Sequence, residues 1–318
     1  MIVWLASYPR SGNTLLRQVL KHCFEIDSCA GLEPGQEARF ATLNATLSQI
    51  YGEYHYEGDA EEFYLRARSS AQPVFIKTHL LPRDDAKTIY VVRDGRLALK
   101  SFLEYQDRSH PGSSSFGSLL LGDHPYGEWS GHFRAWCDRS RAETLLLRFE
   151  ELVDASATTL NQIAQFLGYT GPVRPWQNPQ AKLRELAPQD FGPGDTVWRS
   201  DPFWSETRLR QFLTVHGPLL TQLGYEPRSV VESGAYPVGS DEEKVLSFAR
   251  DLVARQNTTQ VTCEERLALV EQLAKTCAER LELIERLEGI CSERLEVIER
   301  LDSDLKTALN RSEPSRAA

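Results

Sequence analysis

Apolar residues follow two rhythms along this chain. Short unbroken runs alternate with longer stretches in which apolar positions recur every three or four residues. Ile2 to Leu5 is the first run, and Leu15, Leu16, Val19 and Leu20 then keep helical spacing. Val74, Phe75 and Ile76 form a second run that ends in Lys77, Thr78 and His79. Thr88 to Val92 is a third, ending in Arg93 and Asp94, and after Gly95 the residues Leu97, Ala98, Ser101 and Phe102 return to helical spacing. Leu145 to Leu147 is a fourth, followed by a turn and an amphipathic stretch to Tyr169. Unbroken runs of this length predict strands buried on both faces, and their alternation with helices predicts an α/β fold. The expected architecture is a central parallel β-sheet flanked by helices, with its working edge at the C-terminal ends of the strands. From Cys23 to Arg68 the pattern is irregular and predicts helical and loop packing; Gln106 to Gly122, rich in Gly and Ser, reads as a mobile loop.

The connection after the first run reads LASYPRSGNTLLR, from Leu5 to Arg17. A strand, a tight turn and a helix start point backbone N–H groups at an anion. Gly12 lets the backbone approach a ligand closely. Ser11 and Thr14 offer hydroxyls, Asn13 belongs to the same turn, and Arg10 adds a permanent charge able to bind in bidentate fashion. This P-loop-like segment suits a phosphate or sulfate. It is not a Walker loop, because no glycine stands at its front and no Lys follows Gly12. The plainer alternative is a strand-to-helix connection whose Pro and Gly only turn the chain.

Composition narrows the field. The chain has 318 residues, 41% of them hydrophobic, a net charge of −9 and a pI near 5.4, which argues against general nucleic-acid binding. No apolar run is long enough to span a membrane. The N-terminus enters the first strand directly, without the features of a secretory signal. Six cysteines are scattered without a C-x-x-C pair, so reduced thiols and a cytoplasmic location are expected. No metal-ligand spacing or nucleophile elbow stands out, and no metal is expected.

With those residues in view, YPRSGNTLLR resembles the 5′-phosphosulfate loop of sulfotransferases that use 3′-phosphoadenosine 5′-phosphosulfate (PAPS). Arg10 stands where the cytosolic branch usually has Lys. VVRDGRLALKS resembles the family's 3′-phosphate segment, which runs from a strand-end Arg to a helix Ser; Arg93 and Ser101 keep that separation, with Gly95 in place of the usual Pro. KTHL resembles the segment that holds the catalytic His, which would make His79 the general base and Lys77 a charge stabiliser. GEWSGHFRAW is similar to a family helix; its Trp129, His132, Phe133 and Trp136 read first as core. TLLLRFEEL with FLGY is similar to a further segment, with Phe149 where many relatives have Tyr. FGPGDTVWRSDPFWS, from Phe191, loosely resembles the loop that closes over the 3′-phosphate and adenine, and contributes Gly192, Gly194, Trp198 and Arg199. The resemblance implies sulfuryl transfer from PAPS to a hydroxyl or amine acceptor, with adenosine 3′,5′-bisphosphate (PAP) released. Arg10, Ser11, Gly12, Asn13, Thr14, Arg93, Ser101, Trp198 and Arg199 would bind the donor.

Two rival readings stand beside this one. A P-loop kinase would need a Lys after Gly12 and a metal-binding acidic strand end. A scaffold would keep nucleotide binding without catalysis and work through its tail. That tail begins beyond a Pro- and Gly-containing segment, and the expected division is a sulfotransferase domain at 1–228, a linker at 229–243 and a coiled-coil helix at 244–312. A fourteen-residue repeat runs through it: CEERLALVEQLAKT from Cys263, CAERLELIERLEGI from Cys277 and CSERLEVIERLDSD from Cys291. Fourteen residues are two heptads, which predicts a left-handed supercoil. Leu267, Leu281 and Leu295 take one core position; Val270, Ile284 and Ile298 take the next, which Cys277 and Cys291 share. Glu288 and Asp302 also fall at core positions, beside Leu287 and Leu301, so the seam is broader than a strict two-position stripe. A homo-oligomer is expected; the alternative is a single helix folded back on the domain.

Overall fold

In the computed structural model, which describes residues 1–30, 32, 45–56, 58–138, 141, 143–186, 198–226 and 240–312, β1 (Ile2–Ser7) lies inside a six-stranded parallel sheet. The other strands are β2 (Ser28–Cys29), β3 (Glu53–Tyr54), β4 (Val74–Thr78), β5 (Lys87–Val92) and β6 (Thr144–Arg148). Their spatial order is β3-β2-β4-β1-β5-β6. Leu5 is opposite Lys77 on one side and Ile89 on the other.

The run Ile2–Leu5 is apolar without interruption because both faces of the sheet are covered. Ile2, Trp4 and Ala6, with Tyr90 and Val92, face a core that includes Trp129, Phe133 and Trp136 of helix α6 (Trp129–Trp136) and Phe212 of α10 (Glu206–Gln222). Val3 and Leu5, with Ile89 and Val91, face Leu16, Val19 and Leu20 of α1 (Asn13–Phe24) and Ile163 of α8 (Ala157–Leu167). Each such side chain contributes about 1.5–3 kcal/mol when fully buried. The period of two along β1 thus divides the residues between two cores.

Three differences from the sequence expectation stand out. Cys23–Arg68 contains β2 and the edge strand β3 besides helices α2 (Ala45–Tyr51) and α3 (Ala60–Ser69). A two-residue strand has no periodicity to read; Arg17 of α1 secures both, through a hydrogen bond to Ser28 (2.8 Å) and an ion pair with Glu53 (3.0 Å). The second difference corrects the loop at 106–122. Helix α4 (Gly95–Ser109) extends into it, and α5 (Phe116–Leu121) follows, started by a reciprocal Ser115–Ser118 cap and held by buried Leu119 and Leu120. Third, Gly95 does more than replace a Pro: a β-carbon there would lie 2.6 Å from Trp129, so α4 and α6 pack at glycine distance. The remaining helices are α7 (Phe149–Asp154), α9 (Gln180–Leu186) and α11 (Ser240–Ser312).

Met1–Asn257 and Thr258–Ala318 form separate compact units. Within the first, Asn257 near the start of α11 donates to the Gly122 carbonyl at 2.7 Å. Gly192, Gly194 and positions 229–239 of the expected linker lie outside the described residues. No helix among the described residues is long and apolar enough to cross a membrane.

Candidate active site

The chain leaves β1 through α1 toward β2, and leaves β5 through α4 toward β6. The strand order therefore reverses between β1 and β5, the place where parallel sheets open a crevice at the C-terminal ends of their strands. The loop after β1 lines it. Ser11 donates its N–H to the Tyr8 carbonyl at 3.2 Å, closing the turn. Arg10 and Gly12 both take positive φ, 62° and 106°. Gly12 caps α1 without a side-chain hydrogen bond, and no acidic residue stands in the first turn. The positive end of the helix therefore carries no carboxylate. Ser11 Oγ is buried and has no hydrogen-bond partner in the protein, a state that costs free energy unless an acceptor arrives. A phosphate or sulfate oxygen fits that requirement. Thr14 is half-buried on the first turn. The Asn13 amide turns inward, donating to the Leu5 carbonyl at 2.8 Å and pinning the helix start to β1.

Two cations from distant parts of the sequence meet here. Arg10 Nε donates to Ser101 Oγ of α4 at 3.2 Å. Arg93, at the end of β5 and mostly buried, donates to the Arg10 carbonyl at 3.1 Å. Its guanidinium lies 4.5 Å from the centre of the Phe149 ring, a cation–π contact. The same ring closes against Gly12, where a β-carbon would lie 2.6 Å away. Arg10, Ser101, Arg93 and Gly12 are thus one constellation, with Phe149 as its floor.

His79 follows the end of β4, on the other side of β1. Its Nδ1 is 2.7 Å from the Ser7 carbonyl, which can only accept, so Nδ1 carries the proton. The neutral ring then has its lone pair on Nε2. The strand end is held by a hydrogen-bond relay in which Tyr90 donates to His132 Nδ1 at 2.8 Å and His132 Nε2 donates to the His79 carbonyl at 2.9 Å. Burial raises the Tyr90 phenol well above its ordinary range, so it remains a donor. Lys77 is buried within β4.

An aromatic wall stands beside His79. Tyr126 meets its ring edge-on at 6.0 Å, and Phe102 and His124 pack on Tyr126 in turn. His124 accepts from the Tyr126 N–H at 3.3 Å and faces the Tyr8 hydroxyl at 3.2 Å. Burial, then the neighbouring His132, lowers its pKa to about 4, so it is neutral at physiological pH.

Trp198 and Arg199 belong to a second cluster, built on Arg96 near the start of α4. Arg96 is buried, pairs with Asp94 at 2.7 Å and with Glu226 at 2.5 Å, and lies 3.9 Å from the Trp198 ring centre. Arg199 reaches Glu226 at 3.4 Å and is otherwise exposed. Lys100 of α4 pairs with Asp201.

Sequence reasoning passed over Ser7, Tyr90, Arg96 and Glu226, and took His132 only as core. For His132 a signal existed: a histidine inside a buried aromatic stripe must find hydrogen-bond partners. For Glu226 there was none, since its partner Arg96 lies 130 positions away. Among the described residues no group of three or more His, Cys, Asp or Glu side chains is arranged to hold a metal ion.

Comparison with known proteins adds a family, two relatives and one solved structure. The family model described as "Sulfotransferase domain" matches residues 2–180. "Sulfotransferase 4A1" of Mus musculus is 28% identical over 182 residues, covering 52% of this chain and 59% of that protein. The "3-alpha-hydroxysteroid sulfotransferase" of Cavia porcellus is 33% identical over 101 residues, 28% of this chain and 35% of that protein. The chain thus spans less than two thirds of the length of these curated relatives. Among solved structures, mouse sulfotransferase SULT7A1 complexed with PAP aligns at a TM-score of 0.44 and 20% identity, covering 77% of this chain and 86% of that one.

Proposed function

Because the chain belongs to the sulfotransferase domain family, we propose that it moves a sulfuryl group from PAPS to a hydroxyl or amine of an acceptor and releases PAP. The observation that carries this reading is the meeting of Arg10, Arg93 and Ser101 at the anion loop, with His79 presenting an Nε2 lone pair across β1. The donor's contribution is an activated sulfuryl group on a phosphate leaving group. The loop N–H groups, Ser11, Thr14 and Arg10 bind the phosphosulfate, and Arg10 offsets the charge that builds on the departing phosphate. Arg93 and Ser101 hold the 3′-phosphate, with Trp198 and Arg199 as the other donor contacts. His79 takes the acceptor's proton on Nε2, while the Ser7 carbonyl fixes its tautomer and ring angle. Lys77 adds positive charge along the same strand. Positioning by these groups would provide most of the rate.

The donor domain in this proposal is 1–228, joined by a linker at 229–243 to the tail at 244–312. Six free thiols, two of them buried, suit a reducing cytoplasm.

The test is ligand-induced thermal stabilisation, followed by an acceptor screen with labelled PAPS scored by the mass gain of one sulfonate. PAP should raise the melting temperature well beyond adenosine 5′-phosphate, because Arg93 and Ser101 read the 3′-phosphate. Equal shifts from both nucleotides, or a larger one from magnesium ATP, would assign the loop to phosphoryl transfer. A PAP shift without transfer to any acceptor would favour the scaffold reading.

A further inference from the structure

Beyond Asn257, helix α11 displays an apolar stripe to solvent. Leu267, Leu281 and Leu295 are 60%, 59% and 58% exposed, and Val270, Ile284 and Ile298 are 60%, 51% and 60% exposed. From Thr258 to Ser312 the helix is about 80 Å long at ~1.5 Å per residue. Such a face on a regular fourteen-residue repeat calls for an occupant, and the charges beside it specify which.

With the three leucines at heptad position a, Val270, Ile284 and Ile298 fall at d, and so do Cys263, Cys277 and Cys291. Position g then holds Arg266, Arg280 and Arg294, and position e holds Glu271, Glu285 and Glu299. In parallel helices in register, a g side chain faces the e side chain five positions later on the neighbour. Alternate contacts of this kind join Arg to Glu: 266 with 271, 280 with 285, and 294 with 299; those between them set Leu273, Leu287 and Leu301 beside Ala278, Ser292 and Lys306. In an antiparallel pair g faces g and e faces e, so no Arg at g meets a Glu at e and the complementary contacts are lost. The ion pair that Glu282 forms with Arg286 along the helix, at 3.4 Å, occupies the outer b and f positions and leaves this arrangement undisturbed.

We infer that Thr258–Ser312 is a self-association surface whose occupant is the same helix from other copies of this chain, parallel and in register. Leu at a with Val or Ile at d favours three or four strands over two, and Leu273, Leu287 and Leu301 at g widen the seam in the same sense. Glu288 and Asp302 at a are the unfavourable positions; Asp302 is drawn to Lys306 of its own helix at 2.8 Å. The inference does not depend on the chemistry proposed for the nucleotide site.

The test combines sedimentation equilibrium of the full chain with bismaleimide cross-linking and peptide mapping. The expected mass is three or four chains, with links that join Cys277 to Cys277 and Cys291 to Cys291 of another copy. Arg280→Glu should weaken association on the order of tenfold, since each neighbouring contact turns from attraction to repulsion. Adding Glu285→Arg should restore it, while circular dichroism reports unchanged helix in both variants. A monomeric full chain overturns the inference, as do links from Cys263 to Cys291 or a double variant no tighter than the single one. A dimer with like-to-like links and rescue would uphold the orientation and overturn the strand number.

Discussion

Replacing Gly12 by Ala probes the anion loop at its tightest point, and two separable costs follow from the geometry. The new β-carbon would lie 2.6 Å from Cδ2 of Phe149 and 3.5 Å from Cγ1 of Val91. Carbon pairs prefer about 3.5–4.0 Å, so the overlap is with Phe149 alone. That ring is not free to swing, since the Arg93 guanidinium lies 4.5 Å from its centre. Forced overpacking of this kind costs about 1–3 kcal/mol. The second cost is the backbone, because φ at Gly12 is 106° and a side-chain-bearing residue held there loses about 1–3 kcal/mol. Gly12→Ala should therefore destabilise the protein by about 2–6 kcal/mol, a large share of the roughly 5–15 kcal/mol that holds a domain folded.

The two costs separate in a double-mutant cycle with Phe149→Ala. Once the ring is gone only the backbone cost remains, so Gly12→Ala should be milder in that background by about 1–3 kcal/mol. Urea midpoints of the four proteins measure the cycle, and the PAP-induced melting shift reports whether the loop still binds. The shift should fall sharply in Gly12→Ala, because either escape, moving the ring or moving the loop, disturbs Arg93 or the N–H groups of α1. If the two substitutions add within about 0.5 kcal/mol, the Phe149 contact is not what constrains the loop. An unchanged PAP shift in Gly12→Ala would sink its role in donor binding.

Three further outcomes are expected. His79→Ala should leave the PAP shift nearly intact while transfer drops by roughly 100-fold or more; turnover at the parental rate would return His79 to a structural role. Arg96→Met takes the buried guanidinium away from Asp94 and Glu226, leaving Glu226 the exposed Arg199, and should cost about 3–5 kcal/mol, with Glu226→Gln in the same chain recovering part of it; a loss under 1 kcal/mol in urea titration would refute the buried network. The protein should also be acid-labile. His216 is fully buried, hydrogen-bonded to Ser130 at 2.6 Å, and lowered to about 3 by burial and then by Arg134 and Arg250. The unfolded chain therefore binds a proton near pH 6.5 that the folded chain refuses until near pH 3. Stability contributed by the neutral ring is full above pH 6.5 and is lost as pH falls through that window, by up to about 5 kcal/mol for a shift of this size. Urea midpoints from pH 7 to 4 should fall steeply for the parent and less steeply for His216→Asn; parallel curves would remove His216 as the cause.

What could be read from the sequence divides according to how far apart the interacting residues lie. β1, β4 and β5 were legible because each is buried on both faces, so each carries an unbroken apolar run of three or more residues in place of an alternation. The anion loop was legible because Arg10, Ser11 and Gly12 are adjacent, and its geometry is set by a positive-φ glycine and a helix start within a few residues. Arg93 and Ser101 were legible for the same reason, as one strand end and the helix that follows it. Strands β2 and β3 escaped because their existence depends on Arg17 reaching across to Ser28 and Glu53, an arrangement that leaves no period in the sequence. The relay from Tyr90 through His132 to the His79 carbonyl escaped because it joins β5, α6 and the end of β4, which only the closed core brings together. Phe149 is the most instructive case. Set beside Tyr in relatives, it reads as a lost hydroxyl, yet its ring face carries the Arg93 guanidinium and its edge limits Gly12. Phe149→Tyr should therefore alter donor affinity through the added hydroxyl without moving the Gly12 coupling, whereas Phe149→Leu should keep bulk but lose the cation–π face, and with it about 0.5–2 kcal/mol of the contact that positions Arg93. Equal PAP affinity in the Leu variant and the parent would show that the Phe149 ring does not position Arg93.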